Sequence, residues 1–457
     1  MTLHEQVTDI LASAVEAQEC AGISVLVRRC GEEMLYTQAG MSDVASGRLI
    51  HRDSIFRLYS QSKPITAAAV MLLAERGQID LMDGVDRYLP SFRNARVVDK
   101  QGTIRPATRA PWLMELLGMT AGVCYPDSDP AGQYAAKVFD EATQEILAGG
   151  GVPTVEFCNR LGQQPLSFQP GTHWRYSTCA DILGAVVEVV SGMRFGEFLR
   201  KEFFEPLDMV DTGFYVPEGK RNRLVTAYKR TENGLVPWTS THLAVGVYDR
   251  EPALESGGAG LVSTLEDYSH FADMLLAGGT YEGRRILSPA TVACMTQPQL
   301  KDAVRRDMWD SLDGYSYGHL MRICAEPGRI AGLACEGEYG WDGWLGTYFA
   351  NFPGQQMTIL SMQNTVDSGT TRVVRRMRNA VLAALSHCSG IPFASLLHFL
   401  NTGSIKRSSF DRKKCTCINI MNTMSQCCEP VIFCQKCDCP KPLYIISHPD
   451  SKAIISF

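Results

Sequence analysis

No stretch of this chain approaches the ~20 consecutive apolar residues of a membrane span, and the run Ile391–Leu400 is too short for one. The start, Met1-Thr-Leu-His-Glu-Gln6, carries no basic segment, and Glu16 and Glu19 interrupt the first apolar stretch. No secretory leader is therefore expected, and a cytoplasmic location is. No excess of positive charge is present: the net charge is −5, which gives no global argument for nucleic-acid or anionic-membrane partners. No internal repeat is visible, so a solenoid is excluded. Sixteen cysteines lack a regular pairing framework. Nine are scattered from Cys20 to Cys388 and are expected to be reduced, mostly buried thiols. What remains is an ordinary enzyme-like composition, 45% hydrophobic and 20% charged over 457 residues, enough for a large core in one or two domains.

The most informative local feature is Ser60-Gln-Ser-Lys63, an S-x-x-K tetrad. It precedes the apolar run Ile65–Arg76, which Gly77 ends, and Pro64 suits the first turn of the helix this run predicts. The run is apolar on nearly every side, as in a buried helix. A three-residue spacing puts a hydroxyl and an amine on one face. A serine hydroxyl is a poor nucleophile at neutral pH, and a buried lysine beside it can take its proton. A helix start also favours a developing oxyanion. Alone, the tetrad is short enough to arise by chance.

Around it, residues 3–18 show helical apolar spacing, and Gly22–Arg29 with Met34–Gln38 reads as a hairpin about Cys30-Gly-Glu-Glu33. Residues 80–250 read as mainly helical, including Asp181–Val190 ended by Ser191-Gly192. Strand-like runs return at Trp344–Phe352 and Met357–Gln363, separated by Pro353-Gly354. Residues 370–385 read as a basic amphipathic helix whose charges form a solvated face. The expected organisation is a domain over 1–390, with a sheet-containing part at about 1–80 and 255–390 and a helical part at about 81–254. A Cys-rich tail over 391–457, expected to be poorly ordered, follows it.

Two further motifs carry polar groups at element boundaries. Pro170-Gly-Thr-His-Trp-Arg-Tyr176-Ser-Thr178 delivers a tyrosine before a helix, and a phenol beside an ammonium can shuttle a proton. A purely structural tyrosine is the simpler reading of that loop alone. In Tyr339-Gly-Trp341-Asp342-Gly343-Trp344, glycines flank a Trp-Asp pair at what reads as a strand start, so a backbone N–H there can point into a site. A tight strand bend explains it equally well. Gly314-Tyr-Ser316-Tyr-Gly318 fits G-x-S-x-G, but the polar stretch Arg305–Asp313 is no buried strand, which argues against Ser316 as a nucleophile.

Taken in order, these elements resemble the serine β-lactamase-related proteins. The resemblance extends to Leu117-Gly-Met-Thr-Ala-Gly-Val-Cys-Tyr125, Phe204-Glu-Pro-Leu-Asp-Met-Val-Asp-Thr-Gly-Phe214 and Ser256-Gly-Gly-Ala-Gly-Leu261, over about residues 5–388. It is nearest the esterase-like branch, the family VIII carboxylesterases, which are similar to class C β-lactamases. It implies an α+β fold: an antiparallel sheet of N- and C-terminal strands flanked by helices, with a mainly helical insertion. It implies Ser60 as the acylated nucleophile, with Lys63 and Tyr176 moving its proton. The backbone N–H groups of Ser60 and Trp344 become an oxyanion hole, and Tyr125, Thr178, Trp341, Asp342 and Gly343 become pocket residues. It makes Ser256–Gly260 a structural turn near the pocket; no Gly-Lys-Ser/Thr follows to suggest a phosphate loop.

Two positions depart from class C β-lactamases. Thr178 stands where they carry an asparagine, and Trp341-Asp342-Gly343 where they carry Lys-Thr-Gly. The amide donor and the cation for a β-lactam carboxylate are thus absent, and Asp342 is expected to repel an anionic ligand. The resulting expectation is a serine hydrolase of small acyl esters, without cofactor or metal. β-Lactamase or D-amino-acid peptidase activity is the alternative. A non-catalytic binding protein on the same scaffold is a third reading, opposed by the intact Ser60, Lys63 and Tyr176. The tail's Cys415-Thr-Cys417, Cys427-Cys428 and Cys434-Gln-Lys-Cys437 are too irregularly spaced for a zinc module to be expected.

Overall fold

The computed structural model describes residues 1–385 and the backbone of 443–448 and 451–456. The chain divides into two compact units, Met1–Ser389 and Gly390–Phe457. In the second, Leu443–His448 and Ser451–Ser456 pair as an antiparallel hairpin. The cysteine cluster 415–439 and the run Ile391–Leu400 lie outside the described residues. Among those described, no helix is long and apolar enough to cross a membrane.

The first unit is built on one antiparallel sheet of eight strands: β1 (Gly22–Arg29), β2 (Glu32–Asp43), β3 (Arg48–Leu49), β4 (Tyr315–Tyr317), β5 (Arg322–Cys324), β6 (Tyr339–Asp342), β7 (Tyr348–Phe352) and β8 (Met357–Gln363). Their spatial order is β4-β5-β6-β7-β8-β1-β2-β3, so the first strand pairs with the last, Val25 opposite Ser361. The longer helices are α1 (Leu3–Glu16), α2 (Lys63–Glu75), α3 (Pro130–Leu147), α4 (Thr154–Gly162), α5 (Cys179–Ser191), α6 (Leu265–Leu276) and α7 (Arg372–Leu385).

The pleat divides the core. Ile23, Val25 and Val27 of β1, Tyr348, Ala350 and Phe352 of β7, and Met357 and Ile359 of β8 pack with α1 and α7. Leu26, Phe349, Leu360 and Met362 point the other way, into the larger core with α2, α5 and α6. Burial on both faces is why the central strands read as continuous apolar runs rather than alternating ones. Helix α1 starts in a capping box, Thr2 accepting from the Glu5 N–H and Glu5 from the Thr2 N–H. Helix α2 is buried from Lys63 through Leu73, and Gly77 beyond its end has φ 67°.

Three expectations need correcting. The run from Trp344 is not strand throughout: β7 begins at Tyr348, and the Gly343 N–H donates to the Thr347 carbonyl (2.7 Å) to close a tight turn. The Trp341-Asp342 pair therefore ends β6 instead of starting a strand. Strands β4 and β5 were not legible, because three residues are too few to show a period. Nor are all charges of α7 solvated: Arg378 is buried and pairs with fully buried Glu338. Removing one partner of a buried pair leaves an uncompensated charge.

Arg378→Ala is expected to lower unfolding free energy by about 3–5 kcal/mol, measured by urea denaturation. A second prediction concerns acid. Hydrogen bonds from Thr226 and Ser46 hold the Asp43 carboxyl down at about 2. His270, with Arg52, holds Glu266 at about 2 against burial. Both groups ionise more readily folded than unfolded. The stability they add is full above their ordinary values of 3.8 and 4.5 and is lost as pH falls towards 2. An Asp43→Asn/Glu266→Gln variant should show a shallower acid limb in Tm against pH.

Candidate active site

Ser60 lies in a single 3-10 turn, Tyr59–Ser62, that runs into α2. Tyr59 just before it has φ 46°, a left-handed backbone that costs a non-glycine residue about 1–3 kcal/mol. Its neighbours hold it there. Phe56–Arg57 pairs with Val262–Ser263, the Leu58 N–H donates to the Leu261 carbonyl (2.9 Å), and Ser62 Oγ accepts from the Leu261 N–H (3.2 Å). The Tyr59 ring packs on Trp344, centroids 5.1 Å apart.

Lys63 is fully buried, and its Nζ spends its donors on three oxygens: Ser60 Oγ (3.2 Å), Tyr125 Oη (3.0 Å) and the Gly258 carbonyl (2.7 Å). Among the described residues no carboxylate forms an ion pair with it. The third acceptor is set by Asp181, on the first turn of α5, whose carboxylate accepts from Ser256 Oγ (2.5 Å) and the Gly258 N–H (3.2 Å). A Cβ on Gly258 would lie 2.8 Å from Asp181 Oδ2, so only glycine fits this turn. Burial pushes the Asp181 carboxyl up, while Lys63 and those two donors pull it down. Burial also raises the Tyr125 phenol well above its ordinary value, so it stays protonated.

Tyr176 is half-buried at the end of the Pro-Gly loop, its ring centroid 4.7 Å from Lys63 Nζ. Its hydroxyl oxygen accepts from the Trp341 indole N–H at 3.0 Å. Tyr317 packs edge-on to Trp341 (5.1 Å) and fixes the indole from behind. Trp344 follows Gly343 in the turn after β6. A Cβ on Gly343 would meet the Leu58 carbonyl at 2.3 Å, so glycine is what lets this turn close against the Ser60 segment. Among the described residues, neither the Ser60 nor the Trp344 backbone N–H donates to another protein group. Three sequence-separated segments thus bring Ser60 with Lys63, Tyr176 and the Trp341–Trp344 turn together.

Comparison with known proteins shows the family. The β-lactamase family model matches residues 7–384. The chain belongs to the β-lactamase family. It is 28% identical to esterase EstB of Burkholderia gladioli over 398 residues, covering 82% of this chain and 94% of that protein. It is 30% identical to protein Rv1367c of Mycobacterium tuberculosis over 334 residues, 71% of this chain and 80% of the relative. Among solved structures, EstCE1, described as a hydrolase with promiscuous acyltransferase activity, superposes with a TM-score of 0.70 at 26% identity, over 83% of this chain and 98% of its own. The β-lactamase/transpeptidase-like α+β fold and a serine-hydrolase chemistry follow.

Within this β-lactamase-family enzyme, two expected pocket residues are engaged elsewhere. Thr178 is fully buried beneath the start of α5, its hydroxyl donating to the Cys124 carbonyl (3.5 Å), so it presents nothing to a ligand. Asp342 does not stand as a free repelling charge: it pairs with buried Arg322 (2.8 Å) and accepts from Thr370 Oγ1. Ser316 sits mid-strand in β4, buried, and no helix follows it. Asp181, Tyr317 and Trp309 were missed by sequence reasoning. Asp181 left a faint signal, a lone acid in an apolar helix; the other two left none. Trp309 is 48% exposed, yet its ring packs edge-on to Tyr176 (5.1 Å) and Trp174 (5.5 Å). Its segment is tied to the Tyr176 loop through Asp307, which accepts from the Trp174 N–H (3.1 Å).

Asp181→Ala leaves the Ser256 hydroxyl and Gly258 N–H unpaired and is expected to cost about 2–6 kcal/mol, from ~1–3 per orphaned group. Urea unfolding measures it, with Asp181→Asn, which keeps an acceptor, retaining more stability.

Proposed function

We propose that this protein hydrolyses small uncharged acyl esters through an acyl-enzyme on Ser60. The observation that carries the reading is the fully buried Lys63 Nζ, hydrogen-bonded to Ser60 Oγ and, among the described residues, in no ion pair with a carboxylate. In this mechanism Ser60 Oγ attacks the ester carbonyl, and its proton passes to Lys63 and Tyr176. The oxyanion that forms is met by the Ser60 and Trp344 N–H groups; one such donor contributes about 10²–10³ in rate. Collapse of the tetrahedral intermediate expels the alcohol, which takes the proton back from Tyr176. Water then adds to the acyl-enzyme with the same base and releases the acid.

Trp341 explains the preference for esters. Its N–H donates to the Tyr176 oxygen and so fixes the phenol over Lys63. It does so without placing a cation at the sheet edge for a substrate carboxylate. Asp342 adds no counter-charge, being neutralised by Arg322. The rings packed on Tyr176 are aromatic: Trp174, Trp309 and Trp341. They suit apolar acyl or alcohol groups. The similarity to esterase EstB supports the same substrate class.

Nitrophenyl butyrate and a chromogenic cephalosporin, assayed in parallel, test the reading: ester turnover should dominate, and faster cephalosporin turnover would sink it. A fluorophosphonate probe should label Ser60 and fail on Ser60→Ala, as read by peptide mass spectrometry. Tyr176→Phe should lower kcat by about 10²–10⁴. Trp341→Phe should lower it by about 10–100-fold, through loss of one hydrogen bond to a group that becomes charged.

A further inference from the structure

A cleft of about 570 Å³ lies between the hairpin strand Tyr228–Thr231 and the start of α7, with the loop 365–371 as its floor. Four cations line it, Lys229 and Arg230 from one side and Arg372 and Arg375 from the other. Elsewhere in this unit arginines such as Arg76, Arg109 and Arg223 pair with carboxylates. Here, among the described residues, only Arg372 does, with Glu19 at 3.6 Å. Arg230 and Arg375 are instead anchored by backbone carbonyls, those of Glu19 (2.6 Å) and Thr370 (2.6 Å). A guanidinium has five N–H donors, so each keeps most of its fork for a further acceptor. The other lining carboxylate, Asp367, accepts the Trp344 indole N–H (2.7 Å).

A second observation points into the same place. Thr365 lines the cleft, is 2% exposed, and its hydroxyl has no partner. Ser368 lines it too. The N-terminal end of α7, where the helix dipole favours negative charge, opens onto the same space.

We propose that this cleft binds a phosphate group, either as inorganic phosphate or as the phosphoryl end of a small phosphate monoester. Two facing pairs of cations match a doubly charged oxyanion better than a single carboxylate. The floor of the cleft is bonded to the active-site turn: the Ser368 N–H donates to the Trp344 carbonyl (3.0 Å) and the Thr365 N–H to the Leu345 carbonyl (2.9 Å). A bound phosphate therefore stiffens the segment behind Trp344. The binding itself does not rest on the ester-hydrolase reading.

The test is isothermal titration calorimetry of the full chain at constant ionic strength with inorganic phosphate, glycerol 3-phosphate and citrate. Phosphate or its monoester should bind saturably, with a Kd of about 1 mM or tighter. A tighter Kd for the monoester assigns a phosphorylated small molecule, and equal values assign free phosphate. Arg375→Ala and Lys229→Ala, on separate elements, should each weaken binding about 10-fold. Arg376→Ala, which removes the same charge from the same helix outside the lining, should leave it unchanged. Absence of saturable binding, tighter binding of citrate than of phosphate, or an equal loss in Arg376→Ala would overturn the proposal.

Discussion

Everything around the active site depends on one constraint: a lysine side chain is fully buried and, among the described residues, forms no ion pair with a carboxylate. Stranding an amine in a core costs several kcal/mol unless its donors are satisfied. Lys63 has three acceptors, and each comes from a different part of the chain. Ser60 is one helical turn away. Tyr125 comes from the segment after the short helix Leu113–Leu117. The Gly258 carbonyl comes from a turn that Asp181 fixes in place. All three acceptors are neutral oxygens.

Aromatic packing supplies the second layer of order. Tyr176 is fixed by an indole N–H on one side and by Lys63 beneath its ring, and Trp341 is in turn backed by Tyr317. Rigid rings with two torsions each give positioning at low entropic cost. Asp342, beside Trp341 at the end of β6, is paired with buried Arg322. The expectation from the sequence that Asp342 repels an anionic ligand therefore fails, because its carboxylate is already paired with Arg322.

The charged exterior also divides into two kinds. Most arginines pair with acids, and those pairs are exposed and individually weak. At the start of α7, Arg375 is held by a backbone carbonyl instead, lining a cleft that shares its floor with the Trp344 turn. The amphipathic pattern of α7 showed that charges lay on one face but not which of them stayed in water. Arg378 went inward to Glu338, because the pairing partner lies some forty positions away in sequence.

Sequence by itself determined the elements whose signal is local. The S-x-x-K spacing placed Ser60 and Lys63 on one turn. The apolar run after it demanded a buried helix. Gly77 and Gly192 ended helices at left-handed positions. The two-sided burial of β7 and β8 was visible as uninterrupted apolar runs. Tertiary structure alone decided what each side chain touches. Trp341 became the donor to Tyr176, Tyr125 the partner of Lys63, and Asp181 the brace of the Gly258 turn. Thr178 disappeared into the core. The physical reason is that hydrogen-bond partners in this site are separated by tens to hundreds of residues, and no period or propensity carries information over that range. Local spacing joined Ser60 to Lys63, and only packing decided which other oxygens the buried lysine could reach.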